Sequence, residues 1–127
     1  LGHLVADYLL QPKHMALHKT DRTHIGDLWC FLHRIIYTLC VALFIWDFRP
    51  LVLSLVFLSH YPIDRVSLAY WWLKMIHGRD ILAEFRSTEI DNPYREIHVS
   101  FACIVYVVTD ATMHLVLLWL IAKFIIT

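Results

Sequence analysis

Charge of one sign is what this chain lacks: 11 Lys and Arg offset 11 Asp and Glu over 127 residues, and the formal net charge is zero. The basic residues are spread along the chain without a run or a face, which excludes a nucleic-acid-binding reading. Cysteine is sparse as well. Cys30, Cys40 and Cys103 are far apart, form no Cys-x-x-Cys pair and sit among apolar neighbours. Reduced core thiols are expected, and neither a disulfide framework nor a thiolate metal site is. There is no repeat on the scale of about 20–50 residues. No basic stretch precedes a cleavable apolar core, so no signal peptide is expected, and the start at Leu1 without Met suggests residues ahead of it.

What is abundant is apolar sequence. Hydrophobic residues make up 59% of the chain, against about 45–50% in soluble domains, which points to a membrane. Four segments carry the surplus: Leu1 to about Leu17, Gly26 to Trp46, Pro50 to Trp71 and Trp72, and about Ile97 to Thr127. Trp29 and Trp46 lie roughly 26 Å apart on a helix, as two interfacial belts would. Tyr and Trp residues in general read as belt residues. Pro12 interrupts the first segment, which is short for a span, and Pro62 is expected to kink the third and leave a backbone carbonyl free. The predicted fold is all-α, an integral membrane helical bundle of about four transmembrane helices in a single domain, 1–127.

The stretch from His77 to Glu96, with both charge signs, Gly78 and the turn-like Asp91-Asn92-Pro93, reads as a solvated connector, in part an amphipathic helix. Lys13, Lys19, Arg22, Lys74, Arg79, Arg86 and Arg95 fall in the two longer loops, against Arg49 in the remaining turn. That bias puts the connector at about 77–96 in the cytoplasm and both chain ends outside.

Ionisable residues recur inside the apolar segments at one spacing. His3 and Asp7, His60 and Asp64, and Asp110 and His114 are each four apart, so each pair shares a helix face, and His33 stands alone in a further segment. Counted inward from the cytoplasmic ends, His33 lies about 6 Å deep, Asp64 about 10 Å, Asp7 about 15 Å and Asp110 about 20 Å, so one shared site is feasible. Three buried Asp cost on the order of 8–10 kcal/mol on insertion scales unless compensated.

A divalent metal ion bound by His and Asp compensates best, zinc first, with manganese, iron or nickel as alternatives. His3, His33, His60, Asp64 and His114 are the expected ligands. Asp7 or Asp110 would be the general base, or a second-metal ligand, and Arg34 or Arg65 an anion clamp. His14, His18, His24, His77 and His98 read as ordinary interfacial residues, and Cys30 as a core thiol. The reading is a metal-dependent membrane hydrolase, and the depth of the site suggests a lipid or lipid-linked substrate. The same residues allow a small metal or proton transporter, which would call for a homo-oligomer, a non-catalytic polar core, or a bis-His haem carrier, which gives the Asp residues no task.

Gly2-His3-Leu4-Val5-Ala6-Asp7-Tyr8-Leu9-Leu10-Gln11, followed by His33, His60-x-x-x-Asp64 and Asp110-x-x-x-His114, resembles the bacterial membrane family DUF3307 over most of the chain. It is more distantly similar to small inner-membrane proteins named as membrane-bound metal-dependent hydrolases. The resemblance implies a bacterial inner-membrane location, and the second family's name implies a hydrolase. The chain departs from the pattern at Pro62 and at Thr109-Asp110-Ala111, where Asp followed by Gln is expected.

Overall fold

A computed structural model describes residues 1–87 and 93–126. In chain order it has α1 (Gly2–Leu4), a wider π-type turn (Val5–Leu9), α2 (Lys13–His18), α3 (His24–Ile45), α4 (Pro50–Val66), α5 (Leu68–Ile76), α6 (Ile81–Ser87) and α7 (Arg95–Ile121), which runs on into a second π-type turn (Ala122–Ile126). Among the described residues there is no strand. The Asp91 and Asn92 of the expected turn lie outside the described residues.

Local chemistry sets the ends of these helices. Thr23 caps α3, its hydroxyl accepting from the Gly26 N–H at 3.1 Å. Trp46, left-handed at φ 55°, ends it. In the turn that follows, the Arg49 guanidinium grips Asp47, holds that carboxyl below its usual range and donates to the Ile125 carbonyl at 3.1 Å, tying the turn to the end of α7. Pro50 then opens α4, where its missing N–H costs nothing. Asp80 starts α6 by accepting from the Ala83 N–H.

Two helices are long and apolar enough to cross a membrane, His24–Ile45 and the 30 residues Glu96–Ile125; α4 and α5 pass the same test only as a pair bent by 60°. The bend is not where the sequence put it. Pro62 lies inside an unbroken α4, and the chain turns at Ser67, which is left-handed at φ 54°. The first segment is also not a helix of spanning length, because Pro12 divides it. It packs along α3 as short pieces. Near Gly2 the backbones are so close that a Cβ would sit 2.9 Å from the Cα of Val41.

The spans turn apolar side chains outward. Leu28, Phe31, Leu39, Leu43, Leu58, Ile104, Val108 and Val116 are all exposed, an arrangement that water would penalise and hydrocarbon would not. Inside, Ala6, Tyr37, Cys40, Val41, Val52 and Val56 form one apolar cluster toward the C-terminal end of α3, and Leu73, Ile81 and Ala102 form another toward the opposite end. The polar residues lie between them. Cys30 and Cys40 are buried free thiols, whereas Cys103, expected in the core, is a free thiol exposed on α7.

Gly26, in the first turn of α3, faces the turn by which the chain leaves α2. A Cβ there would meet the Asp21 carbonyl oxygen at 2.1 Å, so Gly26→Ala should cost about 1–3 kcal/mol through forced displacement. Unfolding in an SDS titration followed by circular dichroism should show the loss, and the outward-facing Leu39→Ala should not; equal midpoints for the two would contradict the close approach.

Candidate metal centre

Five elements each deliver part of one buried polar cluster. His3 comes from α1, Asp7 from the π-type turn, His33 and Tyr37 from α3, His60 and Asp64 from α4, and His114 from α7. The pairs 3/7, 33/37 and 60/64 are one helical turn apart, which is why α3 and α4 each present two groups inward and α1 with the π-type turn presents a third pair. His3, His33, His60 and His114 are all at most 2% exposed.

Asp64 is the hub. Its Oδ2 lies 2.7 Å from Lys19 Nζ, 3.0 Å from His60 Nε2 and 3.2 Å from His33 Nε2, and its Oδ1 is 3.9 Å from His114 Nε2. Asp7 bridges two rings, with Oδ2 3.3 Å from His3 Nδ1 and Oδ1 3.3 Å from His33 Nε2. The rings are close-packed: His60 and His114 centroids are 4.4 Å apart, His3 and His114 stack at 4.9 Å, and Tyr37 stacks on His60 at 3.8 Å.

Apart from the Lys19–Asp64 hydrogen bond, these short distances are not well-formed hydrogen bonds. Both ring nitrogens of His3 and of His60, Nε2 of His33 and of His114, and Oδ1 of Asp7 are buried without an aligned partner. Each such atom costs about 1–3 kcal/mol, so together they rival the whole stability of a small domain, about 5–15 kcal/mol. A cation among them removes much of that cost, taking one nitrogen of each imidazole it binds. Metal–nitrogen and metal–oxygen bonds of about 2.0–2.2 Å place neighbouring ligand atoms about 2.8–3.6 Å apart in four- to six-coordinate sites. The separations of 3.0, 3.2 and 3.3 Å fall in that range. Three overlapping triads have ligand atoms within 4.8 Å of one another: His3, Asp7 and His114; Asp7, His33 and His60; His60, Asp64 and His114.

The ring tautomers agree with this arrangement. His114 Nδ1 stands 2.9 Å from the Asp110 backbone carbonyl, which can only accept, so Nδ1 carries the proton and Nε2 is left bare toward the centre. Gln11 treats His33 alike. With its amide turned so that the nitrogen donates to the Asp7 carbonyl at 3.3 Å, its oxygen faces Lys19 Nζ at 3.1 Å and His33 Nδ1 at 3.3 Å. His33 Nε2 is then the bare nitrogen.

Not every residue expected at the site is in it. Asp110 stands at the rim, 23% exposed, with Oδ2 3.6 Å from His114 Nδ1. Arg34 points away, donating from Nε to the Phe57 carbonyl at 3.1 Å with its guanidinium over the Phe57 ring at 3.8 Å. Arg65 pins the α2–α3 turn through the Lys19 and Asp21 carbonyls and the Asp27 carboxylate. Both have found local acceptors away from the centre, where an anion clamp was expected. The cation at the centre is Lys19, which sequence reasoning left in a loop, and Tyr37 is core rather than belt. Spacing could have found Tyr37, one turn from His33; nothing local marked Lys19.

A cleft of about 360 Å³ leads from the centre to the surface past Asp7, Tyr8, Gln11, Lys19, Asp64 and Asp110. Fold and cluster together define an all-helical protein with helices able to cross a membrane and a buried His/Asp constellation of metal-ligating chemistry. Across residues 1–127 the sequence matches the family described as "Protein of unknown function (DUF3307)", and the chain belongs to that family. No curated protein and no solved structure matches it.

If Asp64 is held by Lys19 in the metal-free protein, Lys19→Met leaves a buried carboxylate unpaired and should cost about 3–5 kcal/mol. Zinc should restore most of that loss, because a ligand that binds only the folded state stabilises it. Unfolding with chelator and with excess zinc measures both; a Lys19→Met protein as stable as wild type in chelator would contradict the pairing.

Proposed function

We propose that the chain is a membrane-embedded metal-dependent hydrolase whose divalent ion, zinc first, is held by His3, His33, His60, Asp64 and His114 with Asp7. The observation that carries the reading is the set of buried, unaligned ring nitrogens facing two carboxylates. The bound ion would supply a Lewis acid that acidifies water and polarises an ester or phosphoryl oxygen. The side chains of the cleft would do the rest. Asp110, at the rim, can take a proton from water and pass it to the surface. Lys19, in place of Arg34 or Arg65, can donate to a developing oxyanion. Val41, Val52 and Val56 give the centre an apolar wall on its far side.

The distant likeness to membrane-bound metal-dependent hydrolases and an inner-membrane location in a bacterium belong to the same proposal. So does a four-element bundle, its first element the broken segment along α3. The loop charges support a single domain with the 77–96 connector in the cytoplasm; labelling of a Glu84→Cys protein from outside intact cells would contradict that topology.

One observation favours transport as a second reading. His3 also lines an apolar recess of about 230 Å³ with Val41, Phe44, Leu118 and Ile121, toward the opposite end of the bundle from the Lys19 cleft, so the centre can be approached from two sides. Zinc flux into proteoliposomes separates transport from hydrolysis.

Protein purified without a metal-chelating column should carry about one equivalent of divalent metal. His60→Ala should lose most of it, together with hydrolysis of ester or phosphoester substrates, and His24→Ala should lose neither. Metal-free wild-type protein that tolerates the paired change His60→Leu with Asp64→Leu would identify the cluster as polar packing instead.

A further inference from the structure

A second recess adjoins the cleft. Thr20, Tyr106 and Val107 line both the cleft and this recess of about 410 Å³, walled by Ser67, Tyr70, Ile81, Leu82 and Cys103 between α5, α6 and α7. The two recesses share a wall, and they differ in character. The first offers hydrogen-bond donors, namely Lys19, Gln11 and the hydroxyls of Tyr8 and Thr20; the second is mostly apolar. Leu82 and Val107, on its walls, are exposed outward where acyl chains would lie.

From this adjacency we propose that the two recesses together bind one single-chain amphiphile with a phosphate-type anionic head. Its head lies against Lys19 beside the His/Asp centre and its tail in the recess between α5, α6 and α7. The proposal names the substrate class of the hydrolase and rests on the metal reading. In the polar recess Asp7, Asp64 and Asp110 outnumber the ammonium of Lys19 by two charges, which one divalent ion neutralises. An anionic head then meets the ion and Lys19 without net repulsion. Lys19 spends two of its three N–H donors on Asp64 and on the Gln11 oxygen, and the third is available to a phosphate oxygen. Charge-assisted bonds of this kind are the strong ones. A free phosphate would gain the head contacts alone, and a neutral or cationic amphiphile the tail contacts alone.

Cys103 is a reporter for occupancy, since it lines the apolar recess and is exposed whereas Cys30 and Cys40 are buried. In zinc-loaded protein in nanodiscs of zwitterionic lipid, dodecyl phosphate should slow maleimide labelling of Cys103. Inorganic phosphate, dodecyl maltoside and dodecyltrimethylammonium at equal concentration should not. Lys19→Gln should weaken the protection by dodecyl phosphate about tenfold without changing the labelling rate of the free protein, and Lys19→Arg should keep it. Equal protection by the cationic and anionic amphiphiles, or protection by neither, overturns the proposal. Metal content of the same samples separates the two readings: samples without bound metal contradict the metal centre and with it the charge balance the head site needs, whereas bound metal without protection contradicts the amphiphile site alone.

Discussion

The carboxylate of Asp64 is the constraint on which the interior depends. Placed on α4 within the bundle, it cannot be left alone, because an isolated carboxylate in hydrocarbon surroundings costs several kcal/mol or more. The chain answers with Lys19 from beyond α2, His60 from the same helix, His33 from α3 and His114 from α7. Every element that reaches the centre does so to meet this charge or the second one, Asp7. The short first segment is explained in the same way: divided by Pro12 and too short to cross, it brings His3, Asp7 and Gln11 alongside α3 at the level where the other ligand-type residues lie.

Outward-facing and inward-facing surfaces therefore obey opposite rules. Outward, the spans carry large apolar side chains and little else. Inward, two apolar clusters enclose a polar layer whose nitrogens are mostly bare. A structural polar core would be expected to satisfy its own groups, since a half-satisfied buried network is worse than an apolar one. Here satisfaction stops at the outer ring nitrogens of His33 and His114, held by Gln11 and by the Asp110 carbonyl, while the inner nitrogens converge. That division, outer nitrogen bonded and inner nitrogen free, is the arrangement found around metal-ligating histidines.

Much of this was legible beforehand. The apolar runs gave α3, α4 and α7, and the four-residue spacing of His and Asp gave the inward faces, because helical periodicity converts spacing directly into direction. Pro12 was read correctly as a break. What escaped were features decided by three-dimensional neighbours. Pro62 is tolerated inside α4, and the bend falls at Ser67. Arg34 and Arg65, adjacent in sequence to His33 and Asp64, turn away because i and i+1 point to different sides of a helix, and each finds carbonyl or carboxylate acceptors nearby. Lys19 reaches the centre from a turn, and only the need to neutralise Asp64 hinted that some cation must. Tyr37 was hidden by the habit of tyrosine in membrane belts, although its spacing from His33 places it on the buried face.

X-ray absorption of the zinc-loaded protein tests the central claim most directly. The account predicts a first shell of nitrogen and oxygen at about 2.0–2.1 Å, with the outer-shell scattering of several imidazole rings that His114→Ala reduces. A shell containing sulfur at about 2.3 Å, or oxygen alone without imidazole scattering, would contradict it.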